Sequence, residues 1–159
     1  MVVKTDKNVY IIIETEKSDD QYTTYAYNIE GEKLGYASFT TWVDSEIWLY
    51  QVKTFEPFRN QGIGSTLLDF VSYYSAKLNY DHIAGKFSPT SEHAREFYFK
   101  NGYGIYEEDN YNRLEKKINK EEIMENMEKK YHITLPKQND KTTPTQDKAK
   151  IASSFIMWM

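Results

Sequence analysis

The hydrophobic pattern of this chain changes its period once, across the segment Phe58–Leu68. Before that segment, aromatic and β-branched residues alternate with polar ones, and alternation with period two is typical of strands that bury one face. After it, five apolar residues recur at intervals of three and four, as in an amphipathic helix: Ile63, Leu67, Val71, Tyr74 and Leu78. The pattern predicts a strand ending near Phe55, a tight connection, and a helix over residues 62–79.

Further elements are predicted on both sides of this junction. Strand-like composition or alternation marks residues 9–13, 22–29, 34–43, 46–55, 81–87, 103–106 and 111–118. In the fourth of these strands, Trp48, Tyr50, Val52 and Thr54 are expected to share one face. A second helix is expected to start near Ser91 and to end before Gly102. The order β-β-β-β-α-β-α-β-β predicts an α/β (α+β) fold, in which helices pack on a mixed sheet.

The composition changes near Asn119, and all seven glycines lie at or before Gly104. We therefore expect a compact domain over residues 1–118 and an appendage over residues 119–159. The appendage starts with a predicted helix over 121–131, whose stripe of Ile123, Met127 and Tyr131 is expected to pack on the domain. The polar segment 136–150 is expected to be disordered. The apolar end at 151–159 has three open readings for its residues 155–159: a docking peptide, an intersubunit contact, or no role.

The composition also excludes several classes of function. The chain has no cysteine, which excludes disulfides and thiolate chemistry and fits a cytoplasmic location. A net charge of −4 argues against nucleic-acid binding. No apolar run approaches the roughly 20 residues of a membrane-spanning helix, and no signal peptide is expected at the N-terminus. The three histidines have no metal-ligand spacing, so no metal is expected.

The connection between the fourth strand and the long helix contains the most informative residues. Its sequence reads Arg59-Asn60-Gln61-Gly62-Ile63-Gly64-Ser65. Two glycines in a tight turn allow a close approach of the backbone to a ligand, and the first N–H groups of a helix have no partner within the helix. Together with the helix dipole, these amides favour a bound anion.

Two common phosphate-binding motifs do not match this connection. A P-loop requires a lysine after its last glycine, but Ser65 follows Gly64 here. A dinucleotide fingerprint requires glycine or alanine at the position that Leu67 occupies. The remaining pattern is Arg-x-x-Gly-x-Gly, preceded by the aromatic residue Phe58.

This pattern resembles the acetyl-CoA pyrophosphate motif of the GNAT family of N-acetyltransferases, Arg/Gln-x-x-Gly-x-Gly/Ala. A second block, Ala94 to Tyr103, resembles the family's Ala-x-x-Phe-Tyr-x-Lys-x-Gly-Phe segment at a helix end. Both blocks occur in the family's order and at about its separation, and the resemblance covers residues 9–118. It implies a mostly antiparallel central sheet that is split between its fourth and fifth strands.

The resemblance also implies a binding site for acetyl-CoA as co-substrate. Backbone amides of Gln61, Gly62, Ile63, Gly64 and Ser65 are expected to bind the pyrophosphate, and Arg59 and Asn60 complete the loop. The end of the fourth strand, Val52, Lys53 and Thr54, is expected to pair with the pantetheine arm. Ser91 is also expected to contact the cofactor through its hydroxyl. It departs from the family's pattern, which often has asparagine at this position.

Tyr98 falls where many family members have a general acid that protonates the leaving thiolate. An unperturbed tyrosine has a pKa near 10 and is protonated at neutral pH, but Tyr98 could equally be a core aromatic residue. Glu46 is the weaker candidate, as a general base, because it also lies at a turn, where solvated glutamate is common. The acidic turn Glu107-Glu108-Asp109 could attract a cationic amine, although a solvated hairpin turn explains it as well.

The chain departs from the family in one respect that concerns the acceptor. Family members usually have two helices between the first and second strands, and only residues 14–21 separate these strands here. The acceptor site is therefore expected to be open, or to be closed by another segment or by a second subunit, which leaves a homodimer open. The acidic balance favours a cationic amine, such as a polyamine, an aminoglycoside or a protein amine. The alternative to a transferase is a non-catalytic binding module that acts through protein contacts.

Overall fold

The computed structural model describes residues 1–41 and 45–133. They form one eight-stranded sheet in the order β1-β2-β3-β4-β5-β6-β8-β7. The strands are β1 Val2–Lys4, β2 Tyr10–Ser18, β3 Gln21–Tyr27, β4 Lys33–Thr40, β5 Ile47–Thr54, β6 His82–Phe87, β7 Gly104–Glu107 and β8 Asn112–Lys117. The helices are α1 Ile63–Lys77, α2 Glu92–Lys100 and α3 Lys120–Tyr131. Neighbouring strands are antiparallel except for β5 and β6, which are parallel. The predicted mixed, mostly antiparallel sheet with flanking helices is confirmed.

The first strands differ in detail from the prediction. A short strand, β1, precedes the predicted ones and pairs with β2; three residues are too few for a periodic signal. The first predicted strand, 9–13, continues to Ser18, so most of residues 14–21, which were expected to separate the first two predicted strands, lie in strands. A two-residue turn at Asp19-Asp20 then connects β2 to β3, with Asp19 in the left-handed region (φ 53°). No helix intervenes between these strands.

All three helices lie on the same face of the sheet. Helix α1 packs across β3, β4 and β5, and α3 packs on α1. Helix α2 reaches the same face, because Phe97 lies against Gly64 at the start of α1 and Tyr98 packs on Phe87 of β6 at 5.6 Å between ring centroids. The buried core forms between this helical layer and the sheet. The other face carries no helix from the part of the chain that the structure describes.

A bulge in β5 corrects the predicted face of that strand. Phe39 pairs with Leu49 and Ser38 pairs with Gln51, so Tyr50 has no opposite residue in β4. An extra residue reverses the alternation beyond it. Val52 and Thr54 therefore share the helix-covered face with Leu49, and not the face of Trp48 as the alternation predicts.

The sheet is split between β5 and β6. These strands pair only over Ile47–Leu49 and Ile83–Gly85, and residues 50–54 of β5 have no partner in β6. The split was expected between the fourth and fifth strands of the resemblance, which are β5 and β6 here. It opens towards the start of α1 and forms the cleft described below.

Helix α3 attaches the appendage to α1. It begins after Asn119, whose side chain accepts a hydrogen bond from the Glu122 N–H at 3.0 Å. Met127 is buried, and the hydroxyl of Tyr131 donates to Asp69 of α1 at 2.5 Å. The predicted helix is thus present and packs on the domain, whereas the expectations for residues 136–159 fall outside the described residues. None of the described helices is both long and apolar enough to cross a membrane.

Candidate functional site

A cavity of about 630 Å³ lies in the split, between the end of β5, the start of α1 and helix α2. Its wall includes residues from four separate parts of the chain. They are Asp6, Lys7, Gln51, Val52, Lys53, Thr54, Arg59, Asn60, Gly62, Ile63, Gly64, Ser65, His93, Ala94, Phe97, Tyr98 and Lys100. The cavity is large enough for an extended small-molecule ligand.

The connection into α1 presents free amides to this cavity. Asn60 (φ 67°) and Gly62 (φ 79°) are both left-handed, a conformation that glycine and asparagine tolerate best. Gly62 caps the helix without any side-chain hydrogen bond. No described residue accepts a hydrogen bond from the N–H of Ile63, Gly64 or Ser65, and the first amide of α1 that is bonded is that of Thr66. Three donors and the positive end of the helix dipole therefore remain for an anion.

Two threonine hydroxyls hold the carbonyl groups of this connection away from the cavity. Thr5 Oγ1 donates to the Gln61 carbonyl at 2.7 Å, and Thr66 Oγ1 donates to the Gly62 carbonyl at 2.9 Å. Both threonines are buried. The Thr5 hydroxyl also accepts from the N–H of Lys7 and of Val9, so the loop after β1 is fixed against the connection. The peptide orientation that exposes the amides is thus set before any ligand binds.

Basic side chains surround the anion-binding amides although the protein is acidic overall. Lys7, Arg59 and Lys100 line the cavity, and Asp6 is the carboxylate of that lining. Arg59 is oriented by a hydrogen bond from its Nε to the Thr54 carbonyl at 3.3 Å. The local charge is favourable for a ligand with several phosphate groups.

Residues from both faces of β5 line the cavity. Val52 and Thr54 belong to the helix-covered face, whereas Gln51 and Lys53 lie on the helix-free face, and all four line the cavity. A second molecule could therefore approach a ligand in the split from the helix-free face.

Tyr98 lies in an aromatic environment at the wall of the cavity. Its ring contacts Phe97 at 5.2 Å and Tyr103 at 5.7 Å between centroids. Burial raises the pKa of Tyr98 to about 12, because the phenolate form loses its solvation there. The hydroxyl makes no hydrogen bond to any described residue, so a protonated donor at the cavity is available to a ligand.

The structure brings most of the predicted site residues together at this cavity. Those that line it are Val52, Lys53, Thr54, Arg59, Asn60, Gly62, Ile63, Gly64, Ser65 and Tyr98. Gln61 is part of the connection but directs its carbonyl to Thr5. Ser91 does not line the cavity; its hydroxyl caps α2 by accepting from the Ala94 N–H at 3.3 Å.

Glu46 lies away from the cavity, before the paired part of β5. It faces His82 of β6 at 3.4 Å between Oε2 and Nε2, and His82 also faces Glu115 of β8 at 3.5 Å. The acidic turn after β7 is likewise outside the cavity, and its Glu107 pairs with Arg95 at 3.2 Å. In the described ranges, no group of three or more acidic or histidine side chains has a metal-binding arrangement.

The residues that the sequence did not predict come mainly from the N-terminal loop and from α2. Thr5, Asp6 and Lys7 precede the motif by more than fifty positions, and no local pattern connects them to it. Phe97 belongs to the second sequence block, but its contact with Gly64 depends on how α1 and α2 pack. His93 was assigned no role, yet it lines the cavity.

Comparisons with known proteins agree with this geometry. The model of the "Acetyltransferase (GNAT) family" matches residues 2–103. No curated protein matches the sequence significantly. Among solved structures, the PaiA N-acetyltransferase from Thermoplasma acidophilum in complex with coenzyme A is 19% identical, with a TM-score of 0.57; the match covers 62% of this chain and 61% of that protein. The chain thus spans less than two thirds of that protein.

Two further structures extend the comparison. A GNAT family acetyltransferase from Elizabethkingia anophelis with acetyl-CoA bound is 16% identical, with a TM-score of 0.61 over 68% of this chain and 98% of that one. An acetyltransferase of the GNAT family from Staphylococcus aureus Mu50 is 19% identical, with a TM-score of 0.56 over 62% of this chain and 69% of that one. At these identities the likeness concerns the fold.

Proposed function

Because the chain belongs to the acetyltransferase (GNAT) family, we propose that it transfers an acetyl group from acetyl-CoA to an amine by direct attack in a ternary complex. The observation that carries this proposal is the set of three unbonded amides, Ile63, Gly64 and Ser65, at the mouth of a split sheet. These amides would bind the pyrophosphate of acetyl-CoA, and Arg59 and Asn60 would complete the loop. Two of the compared structures contain coenzyme A or acetyl-CoA, which supports this ligand.

The pantetheine arm would occupy the gap that β5 leaves beside β6. Residues 52–54 line the cavity on this strand, and a hydrogen-bonded pairing with their backbone fits the role expected for Val52, Lys53 and Thr54. The bulge at Tyr50 places irregular backbone where the paired part of β5 ends. A strand amide at this point could polarise the thioester carbonyl of the bound acetyl group.

In the proposed reaction, the acceptor nitrogen attacks the thioester carbonyl carbon and the carbon–sulfur bond breaks. The electron pair of that bond leaves on sulfur, and the Tyr98 hydroxyl donates its proton to the thiolate. With a pKa of about 12, Tyr98 is protonated throughout the neutral range, as a general acid must be. The proton of the attacking amine is transferred to water, since Glu46 does not line the cavity, and the Tyr98 phenolate then takes up a proton from water. Holding both reactants in one cleft supplies most of the rate enhancement.

The test measures acetyl-CoA binding and acetyl transfer in the wild type and in two tyrosine variants. We expect acetyl-CoA to bind in calorimetry, and thiol release to follow when an amine from a panel of polyamines, aminoglycosides and peptides is accepted. Tyr98→Phe should lower turnover about 10²–10⁴-fold with nearly unchanged acetyl-CoA affinity. Tyr103→Phe is the matched control, because that hydroxyl is buried, unpartnered and outside the cavity.

Three results would contradict the proposal. If acetyl-CoA did not bind at high micromolar concentration, the site assignment would be wrong. Binding without transfer to any amine would favour a non-catalytic binding module. Unchanged turnover in Tyr98→Phe would remove Tyr98 as the acid and leave the coenzyme site intact.

A further inference from the structure

The helix-free face of the sheet carries a row of four residues in register across β2, β3, β4 and β5. Glu14 pairs with Tyr25, Tyr25 with Tyr36, and Tyr36 with Lys53. We call this set, Glu14-Tyr25-Tyr36-Lys53, the central row. It has a carboxylate at one end, two tyrosines in the middle and an ammonium group at the other end.

The central row continues into neighbouring aromatic rings. The Tyr25 ring lies 6.4 Å from Tyr36 and 6.1 Å from Tyr27, and Tyr36 lies 6.2 Å from Phe55. Tyr25, Tyr27 and Tyr36 are half-buried within their own chain. Tyrosine is enriched at protein–protein interfaces because its ring adds contact area and its hydroxyl can still form hydrogen bonds.

The charges at both ends of the central row lack ion-pair partners. Across residues 1–41 and 45–133, neither Glu14 nor Lys53 forms an ion pair. Both side chains are exposed. The Lys53 ammonium lies over the Phe55 ring, at 6.0 Å from its centroid.

The order of these residues makes the central row complementary to itself. A two-fold axis parallel to the strands, between β3 and β4, exchanges β2 with β5 and β3 with β4. In a face-to-face pair, Glu14 of one copy then lies opposite Lys53 of the other, and Tyr25 lies opposite Tyr36. Such reciprocal contacts define an isologous interface, and sheets pack face to face at about 10 Å, within reach of these side chains.

We propose that two copies of this chain form a two-fold dimer through the central row, with the helix-free faces of their sheets in contact. The proposal does not depend on acetyl transfer. The face of four strands, about seven residues long, covers on the order of 400 Å² in projection, which is small beside the roughly 800 Å² per partner of a standard interface. The dimer should therefore be weak and reversible, with a dissociation constant in the micromolar range.

The test is sedimentation equilibrium of the full chain at about 1–200 μM, without coenzyme. Glu14→Lys and Lys53→Glu each place like charges opposite each other in the dimer, so each single variant should dissociate about tenfold more readily. The double variant Glu14→Lys/Lys53→Glu restores opposite charges and should dimerise again. An equimolar mixture of the two single variants should form a heterodimer for the same reason.

Controls separate this interface from general charge effects. Glu125→Lys/Glu128→Lys changes two exposed residues of α3, on the helical side, and should leave the association unchanged. Circular dichroism checks that each variant is folded, and Tyr25→Ser offers a neutral change in the same row that should also weaken association. The proposal is overturned if the wild-type chain is monomeric throughout, if the single variants associate as the wild type does, or if neither the double variant nor the mixture restores the dimer.

Discussion

At the scale of single residues, the left-handed conformation of Gly62 (φ 79°) decides the shape of the anion-binding connection. A Cβ atom at this position would also collide with the Asp6 carboxylate and approach Thr5. Gly62→Val should therefore lower the affinity for acetyl-CoA by at least tenfold, because the backbone must leave the conformation that exposes the amides. Calorimetry measures this effect.

Gly31→Ala is the matched control for that variant. Gly31 is also left-handed (φ 91°), but it has open space around it and lies in a turn outside the cavity. The substitution Gly31→Ala should lower the free energy of unfolding by about 1 kcal/mol and leave the affinity for acetyl-CoA unchanged. If Gly62→Val folded and bound acetyl-CoA as tightly as the wild type, the connection would not be the phosphate site.

In the proposed site, Thr5 acts on the ligand through another residue, since its hydroxyl fixes the Gln61 carbonyl. Thr5→Val keeps the side-chain shape but removes this hydrogen bond, so the KM for acetyl-CoA should rise several-fold while kcat changes little. Thr5→Ser should restore the KM. Thr24→Val is the control, because it removes another buried hydroxyl contact, the one with Thr15 at 3.0 Å. It should lower stability without changing the KM for acetyl-CoA. If Thr5→Val and Thr24→Val changed this KM equally, the role of Thr5 would be purely structural.

The residues of the site were predictable to different degrees. The anion-binding character of Arg59–Ser65 follows from its glycines and its place before a helix, whereas the role of Tyr98 is implied by the family resemblance; all of these residues but Gln61 line the cavity. Asp6 and Lys7 reach it only because β1 pairs with β2 and returns the chain to α1. Glu46 shows the opposite case, since its place in the predicted fourth strand suggested a site role, but it precedes β5 and faces His82.

At the scale of single elements, β5 shows where periodicity is misleading. The alternation Trp48, Tyr50, Val52, Thr54 is regular in the sequence, yet the bulge at Tyr50 moves its second half to the other face. A bulge depends on the pairing with β4, which the sequence of one strand does not contain. Helix α1, by contrast, was predicted to within two residues at each end, because its long apolar stripe and its glycine start are local signals.

Lys77, at the end of α1, gives this helix a measurable pH dependence. Burial, with a smaller effect of Lys120, lowers the pKa of Lys77 to about 8, against about 10.5 for an ordinary lysine. Above pH 8, Lys77 is more fully protonated in the unfolded chain than in the folded one. The contribution of Lys77 to the free energy of unfolding therefore rises with pH towards pH 10. Lys77→Met should therefore gain about 1–2 kcal/mol relative to the wild type at pH 7, and this gain should shrink by pH 9.5.

Urea unfolding at pH 7 and at pH 9.5 measures that difference. Tyrosine is about a quarter ionised in the unfolded chain at pH 9.5, while burial raises the pKa of Tyr73 to about 12 in the folded one. The wild type and Lys77→Met have the same tyrosines, so this contribution cancels in the difference between them. A gain that was the same at both pH values would show that the ionisation of Lys77 is not linked to folding.

At the scale of the whole molecule, α3 supports the helix that begins at the proposed coenzyme site. Met127 is 2% exposed, and Met127→Ala should reduce the free energy of unfolding by about 2–3 kcal/mol, as expected for a buried methionine. Asn126→Ala, at an exposed neighbouring position, should change it by less than about 0.5 kcal/mol. Equal effects in urea unfolding would mean that α3 does not pack on the domain in solution.

The boundary of the domain at residue 118 stays a prediction, because α3 continues directly from β8 and covers α1. The sequence predicted the strands and helices, but only partly how they are arranged in layers. Alternation identified the strands, but which face each helix covers depends on contacts such as Phe97 with Gly64. The absence of helices between β2 and β3 was evident from the short separation, and it leaves one face of the sheet without a helix.

In the proposed reaction, the two threonine hydroxyls that bond the carbonyl groups of Gln61 and Gly62 affect how the coenzyme enters and leaves. A binding loop that is already held in this shape requires no backbone movement when acetyl-CoA binds, and none when free coenzyme A is released. The release of coenzyme A should then be limited by simple dissociation. Structures of the protein with and without coenzyme A should superimpose over residues 59–65.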